Sequence, residues 1–359
     1  MFKLFRPIRH LIGSGILLFL TVLSVLLARL APKLWFSFYT DFSRGAMRFL
    51  GTVTGWIPFP LWEILLILLV LSIPVGLIAA IRKRRVLGWL TALLEGILLL
   101  VFLFVGLWGL NHFAPSMGEQ IGLEVGSYTK TELTDAAKYY AEQASFWSGK
   151  VDRNEAGDLE LPEFSEMSRL AVEAYETLGA QNPRFRDPVE KAKPLLFGEA
   201  FAYMGTTGVF VCYTGEPTVS TATYMTDQPF TICHEIGHSL AFAGEDEANY
   251  CAFLACRASD SPLLNYSGYY NAFFYCYNAL KKQDAKAAQK LWDYCSEALK
   301  HDSAAQYAHD QQYEGTVQTT VQKANDGYLK TFNQPEGVQS YGLVADYLIA
   351  DYLKNQASD

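Results

Sequence analysis

Long apolar runs fill the first third of the chain. They cover residues 11–30, 61–81 and 86–110, and each has about the 20 residues needed to cross the hydrocarbon core of a bilayer. A soluble protein would have to bury all three runs, and little neighbouring chain remains to cover them. The pattern therefore predicts an α-helical membrane anchor over residues 1–110, with three transmembrane helices.

Beyond residue 110, apolar positions recur at the spacing of amphipathic helices, with one β-prone stretch between them. In that stretch, residues 209–213 form the best strand candidate and residues 218–224 a second β-prone run. We expect a mostly helical α+β domain over residues 111–359, with a small β patch before the helix that carries residues 234–238. The other predicted helices cover residues 131–148, 162–179, 246–257, 266–281, 284–301, 304–323 and 343–354.

The charge of the chain is divided between these two parts. Residues 1–110 hold 11 Lys and Arg against three Asp and Glu, a net charge of +8, whereas the remainder has 18 basic and 34 acidic residues, a net charge of −16. An acidic domain of this kind is a poor nucleic-acid binder, because binding to phosphates requires clustered Lys and Arg. We therefore expect a lipid bilayer, and no nucleic acid, among the partners.

Basic residues also predict the orientation of the anchor. Lys3, Arg6 and Arg9 precede the first span, and residues 82–85 are all basic and separate the second span from the third. Such clusters remain on the cytoplasmic side, so we expect a cytoplasmic N-terminus and an extracytoplasmic domain after the third span. The intervening loop of residues 33–60 is rich in aromatic residues and fits a segment at the membrane surface.

All six cysteines lie in the domain beyond the anchor. An even number outside the cytoplasm permits disulfides, but no C-x-x-C pair is present. Cys251 has Tyr250 and Phe253 as neighbours on a predicted helix, where a thiol packs as a small apolar group. We favour free, buried cysteines over disulfides.

The candidate chemistry centres on an H-E-x-x-H motif formed by His234, Glu235 and His238. On a helix, positions four residues apart lie on one face, so the two imidazoles can bind one metal ion. Glu235 lies between them and can activate a zinc-bound water. Except for Glu235, the neighbouring positions are uncharged, as a buried metal-binding helix requires.

A catalytic zinc site needs a third protein ligand, and an acidic cluster follows seven residues after His238. Glu245 is preferred, Glu247 is the alternative and Asp246 is a weaker option. Gly244 can adopt a positive φ and let the chain turn back. A second helix starting at Glu245 would place Asn249 on the same face, where its side chain could hydrogen-bond a ligating histidine. Glu247 would point away and suits a capping or solvent-facing role.

These motifs resemble those of the gluzincin zinc peptidases, in which a Glu on the next helix completes an H-E-x-x-H site. The E-x-E-A-N form is similar to that of the ImmA/IrrE peptidases, and the whole layout resembles an uncharacterised bacterial membrane family of unknown function. The gap between His238 and Glu245 is shorter than in most gluzincins. The likeness is carried by Thr214-Gly215-Glu216, Pro229-Phe230-Thr231, His234–His238, Glu245–Asn249, Tyr266-Ser267-Gly268-Tyr269 and Ser340-Tyr341-Gly342.

The resemblance implies a zincin-like extracytoplasmic domain in the bacterial cell membrane. The expected function is that of a zinc metallopeptidase that hydrolyses peptides or proteins, with Glu235 as the general base. Tyr266, Tyr269 and Tyr341 are candidate donors to the oxyanion of the transition state. Two alternatives remain open: a non-catalytic sensor or scaffold with a structural zinc, and a zinc-dependent amidase or esterase that acts on cell-wall material.

Overall fold

The computed structural model describes residues 2–331 and 343–357 of the chain. The first third of this part forms α1 (Phe2–Leu30), α2 (Pro32–Phe36), α3 (Tyr39–Gly55), α4 (Leu61–Arg82) and α5 (Val86–Leu107). The helices α1, α4 and α5 are long and apolar enough to cross a membrane, and their apolar windows are largely unburied. The prediction of three membrane-spanning helices is confirmed in their number, length and apolar composition. The third helix ends at residue 107 instead of 110.

The remaining described chain is mostly helical with one small sheet, as predicted. Its helices are α6 (Met117–Ile121), α7 (Lys130–Ser148), α8 (Phe164–Gln181), α9 (Gly198–Tyr203), α10 (Gln228–Ser239), α11 (Glu245–Ala258), α12 (Pro262–Gln283), α13 (Ala285–Tyr294), α14 (Glu297–Asp310), α15 (Thr316–Thr331) and α16 (Val344–Gln356), its short 3-10 helices are Gly109–Phe113 and Pro183–Phe185, and its strands are β1 (Lys193–Pro194), β2 (Gly208–Val211) and β3 (Glu216–Val219).

Helix α10 lies at the centre of this domain, and all of its residues are buried. It packs against α8, α11, α12 and β3, with Ile232 and Ile236 in the main apolar core. Buried polar side chains have little contact with bulk water, so they need partners in the protein, in bound water or in a ligand. This condition applies to the three polar residues of the H-E-x-x-H motif.

The sheet has the strand order β1-β3-β2, so that β2 forms one edge. β1 pairs in parallel with β3, and β2 pairs antiparallel with β3 in a register that places Val209 opposite Thr218. The predicted strand over residues 209–213 is confirmed with a shift of one to two residues. Of the second β-prone run, residues 218–224, only Thr218 and Val219 belong to a strand, since β3 ends at Val219.

Helix α3 joins the anchor to the domain. Its Ser43 hydroxyl donates to the Leu107 carbonyl at the end of α5 (2.7 Å), and its Thr54 hydroxyl donates to the Thr214 carbonyl (3.0 Å). Helices α2 and α3 form most of the loop predicted between the first two spans. One face of α3 contacts the domain, while Phe49 and Trp56 remain exposed.

A buried ion pair fixes the start of α4 to the sheet. Lys193 of β1 lies 2.5 Å from the Glu216 carboxylate of β3 and also donates to the carbonyls of Thr54 (2.8 Å) and Phe59 (3.1 Å). The Glu216 carboxylate in turn accepts the backbone N–H groups of Leu61 (3.0 Å) and Trp62 (3.1 Å). Glu216 thus caps the N-terminus of an apolar helix with its negative charge. We call this group of residues the junction cluster.

Two of the predicted helices are divided in the structure. The helix expected over residues 284–301 is two helices, because the side chains of Asp284 and Ser296 cap α13 and α14 by accepting N–H groups from Ala287 and Leu299. The helix expected over residues 304–323 is likewise divided between α14 and α15. All six cysteines are free and buried, in agreement with the expectation.

Candidate metal centre

His234 and His238 lie one turn apart on α10 and share one face, as the motif predicts. Their rings are nearly perpendicular, with centroids 4.7 Å apart. Both side chains are buried, at 9% and 8% exposure, so that bulk water cannot satisfy their nitrogens.

Glu245 begins α11 and reaches back to both histidines. Its Oε2 lies 3.2 Å from His234 Nε2 and 3.8 Å from His238 Nε2. The three residues form a group whose ligand atoms all lie within 4.8 Å of one another, which suits a shared metal ion. Ligands about 2.1 Å from a tetrahedral ion are about 3.4 Å apart, close to the two carboxylate distances.

The chain turns between the two helices by a route different from the predicted one. Gly244 is extended, with φ −70° and ψ 136°, and the positive φ falls on Ala241, at 67°. The expectation that Gly244 takes a positive φ is therefore wrong. α10 already ends at Ser239, and the left-handed residue follows the helix end by two positions, where such a residue commonly terminates a helix.

Each histidine is oriented by a second hydrogen bond behind the group. His234 Nδ1 lies 2.9 Å from Asn249 Oδ1, and His238 Nδ1 donates to the Phe242 carbonyl at 2.7 Å. In a neutral imidazole, an acceptor at Nδ1 selects the tautomer whose Nε2 carries the lone pair, which is the form that would bind a metal; in the structure, His234 Nε2 is hydrogen-bonded to Glu245. The structure thus places Asn249 where the sequence predicted it.

The electrostatics of the group favour a cation. Burial opposes ionisation of Glu245, but the hydrogen bond with His234 and the charges of both histidines lower its pKa to about 2. Burial lowers the pKa of His238 to about 4, with repulsion from His234 acting in the same direction. The arrangement is a carboxylate between two imidazoles, a set of donors suited to a divalent ion such as Zn²⁺.

Glu235 projects from the same helix turn into a cavity of about 890 Å³ that also exposes the three metal-site residues. Burial raises the pKa of its carboxyl to about 8. Its Oε2 is buried and accepts no hydrogen bond from the described residues. A Cβ atom on Gly208 would lie 2.5 Å from Glu235 Oε1, so a larger residue at the start of β2 would displace this side chain.

Several residues of the cavity wall were not predicted. Trp108 follows α5 and donates from Nε1 to the His238 carbonyl at 3.1 Å, and its ring meets the His238 ring edge to face. Tyr275 of α12 and Tyr328 of α15 also line the cavity. His112 lies behind Tyr328, with Nε2 3.1 Å from the tyrosine hydroxyl. The available signal was that Trp108 lies near the end of the apolar run of residues 86–110 and that His112 follows it closely.

The predicted oxyanion donors lie elsewhere in the fold. The Tyr266 hydroxyl donates to Asp302, which is also paired with Arg153 at 2.7 Å, and Tyr266 does not line the cavity. Tyr269 packs against Phe253 in the apolar core. Tyr341 lies outside the described residues. The structure therefore gives Tyr266 and Tyr269 packing environments and brings neither of them to the metal-site group.

Glu247 is likewise turned away from the group. Its Oε1 accepts the backbone N–H of Met117 at 2.6 Å and so attaches α11 to α6. Burial raises the pKa of this carboxyl to about 7. Of the three acidic candidates for the third ligand, the structure brings Glu245 to the histidines.

Comparison with protein families identifies one match, which covers residues 38–349. The chain belongs to this family, described as protein of unknown function (DUF3810). The matched range includes α4, α5 and the complete metal-site group. Comparison with curated proteins and with solved structures gives no match.

Proposed function

We propose that this protein is a membrane-anchored zinc metallopeptidase with a zincin-like domain on the extracytoplasmic side of the bacterial membrane. One observation carries the proposal. Three ligand atoms converge from the largely buried side chains of His234, His238 and Glu245, and Glu235, whose Oε2 has no hydrogen-bond partner among the described residues, lines the same cavity. A closed structural zinc site needs four protein ligands and no such carboxylate, so this combination supports a hydrolytic site.

His234 Nε2, His238 Nε2 and Glu245 Oε2 would hold the metal, and Asn249 and the Phe242 carbonyl would keep the two imidazoles in the required tautomer. When bound there, Zn²⁺ would polarise the carbonyl of the substrate and increase the acidity of water. This set of donors contains no thiolate, although six cysteines are present, which fits an open catalytic site with three ligands.

Glu235 is the proposed general base, and a divalent cation held by the three neighbouring ligands would favour the ionised form of its buried carboxyl. It takes one proton from water while the water oxygen bonds to the carbonyl carbon of the peptide, and it then gives this proton to the leaving nitrogen as the C–N bond breaks. The products are a carboxylic acid and an amine, so that atoms and charge balance. Gly208 has no side chain, and this leaves space beside the strand for the carboxylate of Glu235.

Tyr275 and Tyr328 are the proposed donors to the developing oxyanion, in place of Tyr266. Both line the cavity, and both are electrostatically coupled to Glu245. Burial raises the pKa of each hydroxyl well above its ordinary value, so each remains a protonated donor near pH 7. His112 orients Tyr328 through its ring nitrogen.

The edge strand β2 supports a peptide as the substrate. Ser220 donates its N–H to the Thr207 carbonyl at 2.8 Å, so alternation along the antiparallel pair directs the backbone groups of Gly208 and Phe210 away from β3. Both residues line the cavity, and no described strand pairs with that edge. An extended peptide could add to this edge as a further strand. A cell-wall amidase would not require such an edge.

The test is peptide hydrolysis by the full-length protein in detergent or vesicles, with Zn²⁺ added in slight excess. We expect Glu235→Gln to lower the rate by about 10²–10⁴-fold, because a general base contributes an effect of this size. Zinc content, measured by elemental analysis, should stay at the wild-type value. Glu247→Gln is the matched control, since Glu247 is a neighbouring glutamate that does not face the cavity. Equal hydrolysis by wild type and Glu235→Gln would contradict the proposal.

A further inference from the structure

The cavity is built partly from the third apolar helix. Phe104 belongs to α5, and Trp108 follows its end, yet both line the cavity that contains the metal-site group. Trp108 also donates a hydrogen bond to the carbonyl of His238, one of the three proposed metal ligands. The end of a membrane-spanning helix therefore forms a wall of the site, and the site lies directly at the end of the anchor.

The edge strand leads from the site toward the same helix. Gly208 contacts Glu235 at one end of β2, and Tyr213 lies just beyond the other end. The Tyr213 hydroxyl donates to the Leu100 carbonyl at 2.9 Å. Leu100 precedes the last residue of α5 by seven positions, or about 10 Å along the helix axis. A chain paired with β2 would therefore extend from the catalytic carboxylate to the level of the apolar helices.

Exposed apolar side chains lie where the domain contacts α4 and along α3. Leu196 and Phe197 are about half exposed, at 51% and 50%, although their backbone N–H groups are bound by the Glu63 carboxylate of α4. On α3, Phe49 is 68% exposed. Apolar side chains beside membrane-spanning helices are stable in contact with lipid, since water contact costs about 25 cal/mol per Å². The face of the domain that adjoins the anchor thus suits the bilayer surface.

We propose that the substrate is the extended juxtamembrane segment of a polypeptide that is itself anchored in the same bilayer. The inference rests on the proposed peptidase function and specifies its substrate class. A chain leaving the bilayer beside α5 meets the open edge of β2 first and the metal-site group next. At about 3.3 Å per extended residue, the scissile bond lies within about ten residues of the substrate's own span. A soluble peptide gains nothing from a site in this position.

The test uses the full-length protein reconstituted in vesicles. One pool of substrates contains bacterial membrane proteins in the same vesicles, and a second contains soluble proteins added outside. New N-termini are identified by mass spectrometry, with Glu235→Gln as the matched control. We expect wild-type-specific cleavage sites to lie within about ten residues of predicted spans, at a frequency at least tenfold above that in soluble proteins or distant segments.

The two proposals fail in different ways. Cleavage that is as frequent in soluble proteins as beside spans would overturn the juxtamembrane inference and leave the peptidase proposal intact. No wild-type-specific cleavage in either pool would contradict the peptidase function itself.

A single defined substrate tests the juxtamembrane inference more directly. A cleaved segment is prepared with its span, with a spacer of about 15 extra residues before the site, and as a soluble peptide. We expect kcat/KM to fall at least tenfold in the second and third forms. Equal kcat/KM for all three forms would contradict the inference, whereas hydrolysis of any form would still support the peptidase.

Discussion

The junction cluster and the metal-site group are both buried assemblies of ionisable side chains, but they differ in how their polar atoms are used. In the junction cluster, the Lys193 ammonium contacts three oxygen acceptors, and the Glu216 carboxylate accepts two backbone N–H groups in addition. Beside the metal-site group of His234, His238 and Glu245, the atoms Glu235 Oε2 and Asn249 Nδ2 are buried without a hydrogen-bond partner among the described residues.

This difference distinguishes a cluster with a structural role from one with a proposed functional role. Unpartnered buried polar atoms are destabilising, and beside a cavity a ligand can supply the missing hydrogen bond. In the junction cluster, the chain itself supplies partners for the Lys193 ammonium and the Glu216 carboxylate, and these bonds hold α4 to the sheet. The metal-site group opens onto a cavity and leaves bonds to be completed by something that enters.

The largest expected effect is at the junction cluster. Lys193→Met should destabilise the protein by about 3–5 kcal/mol, because it leaves the buried Glu216 charge without its cation. Thermal unfolding in detergent measures the change. Glu235→Gln is the matched control, and we expect it to unfold at or above the wild-type temperature because it removes a carboxyl without a hydrogen-bond partner on one oxygen. A loss of stability in Glu235→Gln as large as that in Lys193→Met would remove the distinction between the two regions.

The next effect concerns the third ligand. Glu245→Ala should weaken zinc binding by more than about 100-fold, since the loss of a direct ligand exceeds the 10–100-fold cost of losing a residue behind one. Competition with a metal-binding dye measures the affinity. Glu247→Ala should bind zinc as wild type does and lose stability instead, because it frees the Met117 N–H. The reverse pattern would assign the ligand to Glu247.

The smallest effect is expected behind the ligands. Asn249→Ala should weaken zinc binding by about 10–100-fold, because His234 then loses the acceptor at Nδ1 that fixes its tautomer. Asn249→Asp provides a rescue, since a carboxylate also accepts from Nδ1 and should bring the affinity back toward wild type. If Asn249→Ala left zinc affinity unchanged while lowering the melting temperature, Asn249 would have only a packing role.

Local sequence patterns predicted much of this molecule. The apolar runs are long enough to be recognised without any knowledge of tertiary contacts, and they became α1, α4 and α5. Helical periodicity predicted that His234 and His238 share one face of their helix and that Glu245 and Asn249 share one face of the next, whereas the choice of Glu245 over Glu247 was only a preference. The glycine turn could not be deduced from spacing, since the positive φ fell on Ala241 and not on Gly244.

The tertiary structure decided what spacing cannot express. Tyr266 and Tyr275 occupy the same helix α12, yet one bonds to Asp302 in the core and the other lines the cavity. Trp108 and Gly208 are 100 residues apart in sequence and meet at one cavity, together with Glu235. Helical periodicity depends on bonds between near neighbours and can be derived from the chain alone. Which faces meet depends on the packing of helices and strands that are distant in sequence, and that packing exists only in the folded protein.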